Sequence, residues 1–360
     1  MSASAIKQAL DSVIDPELLR PITELGMVEF DEKLVTVKLT VAGCPAAVKI
    51  ENDVRTAVSS FDVDVAMSVM TQAERDELKL KLRGGRPPRQ NPFDQSSLTK
   101  IFLISSGKGG VGKSTLTANL AVELASQNFK VGIIDADIFG FSIPGQLGMT
   151  DRPTKVDDMI LPPVINGIKV ISIAMFLDVN KAVAWRGPML HRTIEQFICD
   201  VYWGDLDFLL VDMPPGTGDI AISVGQQLPT AKTIVVTTPQ FAAADVAERS
   251  GEVGLKTGQK IFGVIENMSW LVQADGSKLE IFGSGGGRLV AERLSKLNQE
   301  DVPLLGQIPI SVALRQAADD GSPLAGSDSS DAAATAIAQI AKKMIESKLD
   351  LAGKKLKVNL

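Results

Sequence analysis

An α/β protein with a mostly parallel sheet, preceded by a small α+β domain, is what this sequence predicts. Three observations carry that expectation. From Lys100 onward, short apolar runs alternate with helical segments. A glycine-rich octapeptide, Gly107-Lys108-Gly109-Gly110-Val111-Gly112-Lys113-Ser114, stands between the first such run and the first helix. Upstream, residues 79–92 are basic and rich in Gly and Pro, a composition that cannot bury a core. The expected organisation is a small α+β domain over 1–75, a linker over 76–98 and an α/β domain over 99–360.

The bulk composition fits a soluble globular protein of two or three domains. The chain has 360 residues, 45% of them hydrophobic and 22% charged. A net charge of −6 argues against a nucleic-acid binder. The start, Met-Ser-Ala-Ser-Ala-Ile-Lys, lacks a hydrophobic signal core. No apolar run approaches the roughly 20 residues that span a bilayer. Cytoplasmic location and no membrane partner are therefore expected. Cys44 and Cys199 are the two cysteines, too few for a disulfide framework, and His191 is the one histidine. The basic tail Lys354-Lys355-Leu356-Lys357 reads as a solvated terminus.

In the first unit a helix is expected over 4–13, ending before Asp15-Pro16. Alternation in Leu34-Val35-Thr36-Val37-Lys38-Leu39-Thr40 gives a strand with Val35, Val37 and Leu39 on one face. A helix over 46–59 and a strand near 63–67 complete the unit. In the second, apolar strands are expected at 101–105, 131–134, 170–173, 208–211, 233–237, 261–265 and 304–308. Helices are expected at 114–126, 188–201, 242–256 and 332–349. Short apolar strands separated by helices imply a parallel sheet covered on both faces. Ligands of such sheets bind at the carboxyl ends of the strands.

The octapeptide has the spacing G-x-x-x-x-G-K-S of a phosphate-binding P-loop. Its glycines let backbone N–H groups turn toward nucleotide phosphates. Lys113 is expected to reach the β- and γ-phosphates, and the Ser114 hydroxyl to ligate Mg²⁺. Downstream, Ile133-Ile134-Asp135-Ala136-Asp137 leaves an apolar strand at its carboxyl end. One of these carboxylates can help hold the Mg²⁺ shell and the other can orient the attacking water, with Asp137 the favoured catalytic residue. The run Phe208-Leu209-Leu210-Val211-Asp212 ends in an aspartate placed as a Walker-B carboxylate, a further Mg²⁺ contact. Pro214-Pro215-Gly216 shapes a segment able to sense the γ-phosphate. Lys108 is an extra lysine that an ordinary P-loop does not need. It either meets nucleotide phosphates across a subunit interface or is an exposed lysine.

Gly107 to Ser114, followed by Thr115 and joined with Asp135 and Asp137, resembles the deviant-Walker ATPases, which include partitioning, division-site and nitrogenase-iron proteins. Trp185-Arg186-Gly187-Pro188-Met189, Asp212-Met213-Pro214-Pro215-Gly216-Thr217-Gly218-Asp219 and Glu266-Asn267-Met268-Ser269 resemble the Mrp-type iron–sulfur cluster carrier ATPases. Asp15-Pro16-Glu17, Leu25-Gly26-Met27-Val28 and Leu39-Thr40 through Cys44-Pro45 are similar to the small domain of iron–sulfur assembly factors. The resemblance implies ATP and Mg²⁺ as cofactors and a homodimer sandwiching two nucleotides, with Lys108 crossing the interface. It implies that Asn267 contacts adenine, that clusters pass to apoprotein clients, and that iron–sulfur assembly factors are partners. A partitioning or septum-positioning role would need a basic surface or an amphipathic terminal helix. The segment 332–349 has few bulky apolar residues for that.

One departure stands out. The family's Cys-x-x-Cys, which would share a [4Fe–4S] cluster between subunits, is missing. Residues 270–283 contain no cysteine, Gln273 and Gly276 stand about where the pair should fall, and Asp275-Gly276 reads as a hairpin turn. Cys44, at a strand-to-helix junction where a helix N-terminus would lower its pKa, is either a cluster ligand or a packed residue. Cys199 and His191 read as packing residues. The leading expectation is an ATP-hydrolysing cluster carrier. The alternative is an ATP-dependent scaffold or switch that recruits partners without binding a cluster.

Overall fold

The computed structural model describes residues 3–31, 33–40, 44, 46–82, 90–176, 187–327 and 329–347. Trp185-Arg186, Pro45, residues 83–89 of the expected linker and the basic tail lie outside the described residues. The chain forms two compact units. One is drawn from Met1–Gln90, Arg152–Val164 and Cys199–Gly204, the other from Asn91–Asp151, Ile165–Ile198 and Asp205–Leu360.

The small unit has a three-stranded sheet of Val28–Phe30, Leu34–Leu39 and Asp64–Val69, with Leu34–Leu39 in the middle. Val35, Val37 and Leu39 are buried, as alternation requires. Helices Ala3–Leu10 and Ala47–Ala57 belong to the same unit, Ile6, Leu10, Ile50 and Val54 entering its core. Two features depart from the sequence reading. A helix, Gln72–Leu82, occupies the first part of the expected linker and buries Leu78. Its start is a capping box: Glu74 N–H reaches Thr71 Oγ1 at 3.3 Å, and Glu74 Oε2 accepts the Thr71 N–H at 2.7 Å. The second feature is an antiparallel hairpin, Thr154–Val156 with Met159–Leu161, from far along the chain. Its Val156, Met159 and Leu161, with Tyr202, lie in one core with Ile6, Leu10 and Val54. Asp157 in its turn pairs with Lys79 at 2.8 Å.

In the large unit, seven strands run parallel in the order Leu304–Gln307, Lys260–Glu266, Lys232–Thr237, Lys100–Ser106, Phe208–Asp212, Val131–Asp135 and Ile168–Ser172. Val164–Ile165 adds an edge strand and leads into Ile168–Ser172 through the Asn166-Gly167 turn, both turn residues at positive φ (50° and 76°). The central strands are continuous buried runs because helices cover both faces. On one face, Leu116, Leu120 and Leu124 of Lys113–Ser126 share a core with Ile337, Ile340 and Met344 of Ala332–Glu346. On the other, Ala244 and Ala247 of Phe241–Lys256 meet Val290 and Leu294 of Gly286–Asn298 over Val235 and Val264. Helix Gly187–Cys199 ends two residues before the predicted stop.

Candidate nucleotide site

The site forms where four carboxyl ends meet. Strand Lys100–Ser106 lies between Lys232–Thr237 and Phe208–Asp212, so the loop leaving it emerges beside Asp212. Asp212 is in register with Asp135 on the next strand. Gly112 caps helix Lys113–Ser126 at φ 81°, and a Cβ there would meet Asn267 Nδ2 at 2.2 Å. A Cβ on Gly107 would meet the Val246 backbone at 2.2 Å. Both positions therefore require glycine, one for its dihedral and both for space. Gly109, Gly110 and the Lys108 side chain are exposed, Val111 is buried, and Thr115 is half-buried.

Lys113 and Asp212 are buried, and Lys113 Nζ donates to Asp212 Oδ1 at 2.7 Å. Ser114 Oγ donates to Asp212 Oδ2 at 2.5 Å, and Thr117 Oγ1 donates to Oδ1 at 3.1 Å. Asp137 Oδ2 lies 3.7 Å from Lys113 Nζ. Its other oxygen accepts the Gly140 N–H at 3.0 Å. Asp135 makes a separate set of bonds. Its oxygens accept Ser172 Oγ at 3.0 Å, Ile143 N–H at 3.4 Å and Asp137 N–H at 3.3 Å.

Two fully buried carboxylates on adjacent strands are costly while both are charged. Burial raises the pKa of Asp135, and the charge of Asp212 raises it further. Burial also raises Asp212, while Lys113 pulls it back. A cation at this position relieves that repulsion, and Ser114 with Asp212 offers the hard oxygen donors that Mg²⁺ accepts. The residues present therefore fit the metal. Among the described residues, no group of three His, Cys, Asp or Glu side chains is arranged to hold a metal ion unaided.

Asn267 is buried at the end of Lys260–Glu266, and its Nδ2 donates to the Val111 carbonyl of the loop at 2.8 Å. Glu266 before it accepts Gly287 N–H at 2.6 Å and Gln307 Nε2 at 2.7 Å. The buried carboxylate thus ties the Asn267 turn to the start of helix Gly286–Asn298, where helix dipoles favour anions. The sequence reading did not single out Thr117, Ser172 or Glu266. Thr117 had a signal, being one helical turn after Lys113 and so on the same face. Ser172 had none beyond its position at a strand end, and Glu266 stood in the Glu266-Asn267-Met268-Ser269 motif without a role of its own.

Cys44 and the 270–283 segment were the candidates for holding a cluster. Cys44 is buried, and the expected lowering of its pKa is reversed. Burial raises it, and Glu17 and Asp15 add repulsion that the Ala46 and Ala47 N–H groups do not offset. Segment 270–283 is a hairpin as expected, Leu271 facing Leu279 and Val272 facing Lys278. Gly276 turns at φ 81°, and Lys278 Nζ lies 3.7 Å over the Trp270 ring. Its Val272, Leu279, Ile281 and Phe282 are exposed. His191 hydrogen-bonds Ser223 Oγ at 2.5 Å, outside this site.

A glycine loop closing on a buried lysine, with a strand-end aspartate behind its serine, defines a P-loop nucleotide-binding protein. Comparison with known proteins narrows the class. The family described as NUBPL iron-transfer P-loop NTPase matches residues 97–345, and the family described as iron-sulfur cluster assembly protein matches residues 3–69. The chain belongs to the NUBPL iron-transfer P-loop NTPase family and carries the assembly domain at its N-terminal end. It is 52% identical to the iron-sulfur cluster carrier protein of Mycobacterium tuberculosis, over 98% of this chain and 96% of that one. With the carrier protein of Synechocystis it shares 37% identity, over 96% and 97%. Among solved structures, it is similar to a nucleotide-binding protein of Archaeoglobus fulgidus in complex with ADP, at TM-score 0.53 and 35% identity. That match covers 62% of this chain and 86% of the other. The septum site-determining protein MinD of Pyrococcus horikoshii, complexed with Mg-ADP, matches at TM-score 0.52 and 26% identity, covering 72% of this chain and 100% of that one. No helix among the described residues is long and apolar enough to cross a membrane.

Proposed function

We propose that this protein is a cytoplasmic, Mg-ATP-dependent iron–sulfur cluster carrier that works as a homodimer and delivers clusters to apoprotein clients. The observation that carries the ATPase half is the convergence of Lys113 and Ser114 on the buried Asp212. Similarity to carrier proteins over nearly the whole chain supports the cargo.

In this reading, the backbone from Gly107 to Thr115 cradles the phosphates and Lys113 turns from Asp212 to the β- and γ-phosphates. Ser114, Asp212 and Asp135 would hold Mg²⁺, which neutralises charge developing on the phosphate oxygens. Asp137 orients a water for attack on the γ-phosphorus. The bond to the β–γ bridging oxygen breaks, ADP and phosphate leave, and the water's proton passes to solvent or phosphate. Lys108, exposed on the loop, supplies charge to the nucleotide of the facing subunit. Asn267, already bonded to Val111, reads the base. D137A is expected to abolish steady-state phosphate release from the full chain; unchanged turnover would remove Asp137 from this role.

The scaffold alternative has two specific observations in its favour. The described residues present a cysteine-free hairpin at 270–283 and a buried, protonation-favouring Cys44. Anaerobic reconstitution with iron and sulfide separates the readings. Stoichiometric cluster absorbance in the wild type that is lost in C44A supports a carrier with Cys44 as ligand. No cluster in the wild type favours the scaffold.

A further inference from the structure

Three side chains of one helix converge on Asp212, and they have different fates once ATP binds. Lys113 is required by the phosphates and Ser114 by the metal. Thr117, one turn deeper, has no role assigned by any of these contacts, yet it is fully buried and its Oγ1 is 3.1 Å from Asp212 Oδ1. We propose that Thr117 is a positioning residue that keeps the Asp212 carboxylate aimed at Ser114 while nucleotide occupies the loop. This inference rests on the Mg-ATP reading above and deepens it.

Three observations support it. The Thr117 hydroxyl also lies 3.0 Å from the Lys113 carbonyl, the usual back-bond of a helical threonine. It has a single proton, and a charged carboxylate is a stronger acceptor than a helix carbonyl already bonded along the helix. The proton therefore belongs on the Asp212 side. Next, Thr117 holds Oδ1 while Ser114 holds Oδ2, so an anchor on one oxygen fixes the direction of the other. When Lys113 leaves, Thr117 still holds Oδ1. The contrast with Asp135 is the third. That carboxylate accepts from Ser172 and two backbone N–H groups, none of which belongs to the 107–115 loop.

The test uses the full-length chain with a fluorescent ADP analogue, titrated with Mg²⁺ and again in excess chelator. T117V keeps the shape and removes the donor; T117S keeps the donor. In T117V the Mg²⁺-dependent gain in affinity should fall about tenfold, the size of one hydrogen bond to a charged group. Affinity in chelator should stay within about twofold, and T117S should restore the gain. In a D212N background, T117V should have no further effect. A T117V protein with the wild-type Mg²⁺ gain overturns the proposal, as does equal loss with and without Mg²⁺, which marks a purely structural role. If T117V does not fold, T117A carries the same expectation. Failure of the wild type to bind the analogue at all would instead refute the nucleotide reading itself.

Discussion

The nucleotide end of the large sheet and the small unit are built in opposite ways. At the nucleotide end, each functional group comes from a short motif at a strand terminus, and the parallel register alone brings Asp135 and Asp212 side by side. The small unit draws its core from three separated stretches of chain. Val156, Met159, Leu161 and Tyr202 join residues more than 70 positions away in the N-terminal stretch. The difference teaches that a site whose chemistry depends on local turns is concentrated in motifs, while a core is distributed wherever apolar surface can be covered.

Four experiments, in falling order of expected effect, press on that contrast. K113A should weaken binding of an ATP analogue by about 100-fold or more, since charge-assisted bonds to phosphate are lost together. Retained affinity would mean that the loop does not act as a unit. L161A should destabilise the small unit by about 3 kcal/mol, the cost of emptying a core leucine. Hydrogen exchange across Ala47–Ala57 reports it, with nucleotide affinity unchanged. If protection there stays at the wild-type level, the hairpin is not part of that core. N267A should lower affinity about tenfold, removing the bond to Val111 together with any base contact, and should reduce discrimination between adenine and guanine nucleotides. An unchanged preference would take base reading away from Asn267.

The smallest effect concerns acid stability of the small unit. Lys38, followed by the Thr71 N–H and hydroxyl, lowers the pKa of Glu74 from 4.5 to about 2. A carboxylate with a depressed folded pKa stabilises the fold above its ordinary value and loses that contribution as pH falls. Small-unit stability should therefore decline between about pH 4.5 and pH 2, and E74Q should flatten that slope. An equal slope in E74Q would assign the acid sensitivity elsewhere.

Much of the large unit was legible because parallel strands covered on both faces leave uninterrupted apolar runs. The eleven residues from Gly107 to Thr117 carry the loop, its lysine and its serine, and even the missed threonine follows the helical period. In the small unit, helix Gln72–Leu82 was hidden by its polar composition, although Thr71-x-x-Glu74 announced its start. The hairpin Thr154–Leu161 was invisible for another reason. Nothing in eight residues says which distant surface they will cover.

Sequence alone determined the phosphate loop, the aspartates at the strand ends and the cysteine-free 270–283 turn, because each depends on residues adjacent in the chain. Tertiary structure decided that Asp212 meets Ser114 and Thr117, that Asn267 bonds the loop at Val111, and that the small unit is completed from 152–164 and 199–204. It also decided the state of Cys44. A helix N-terminus is a local feature that lowers a thiol pKa, whereas burial and the nearby carboxylates are sums over the whole fold, and here those sums win.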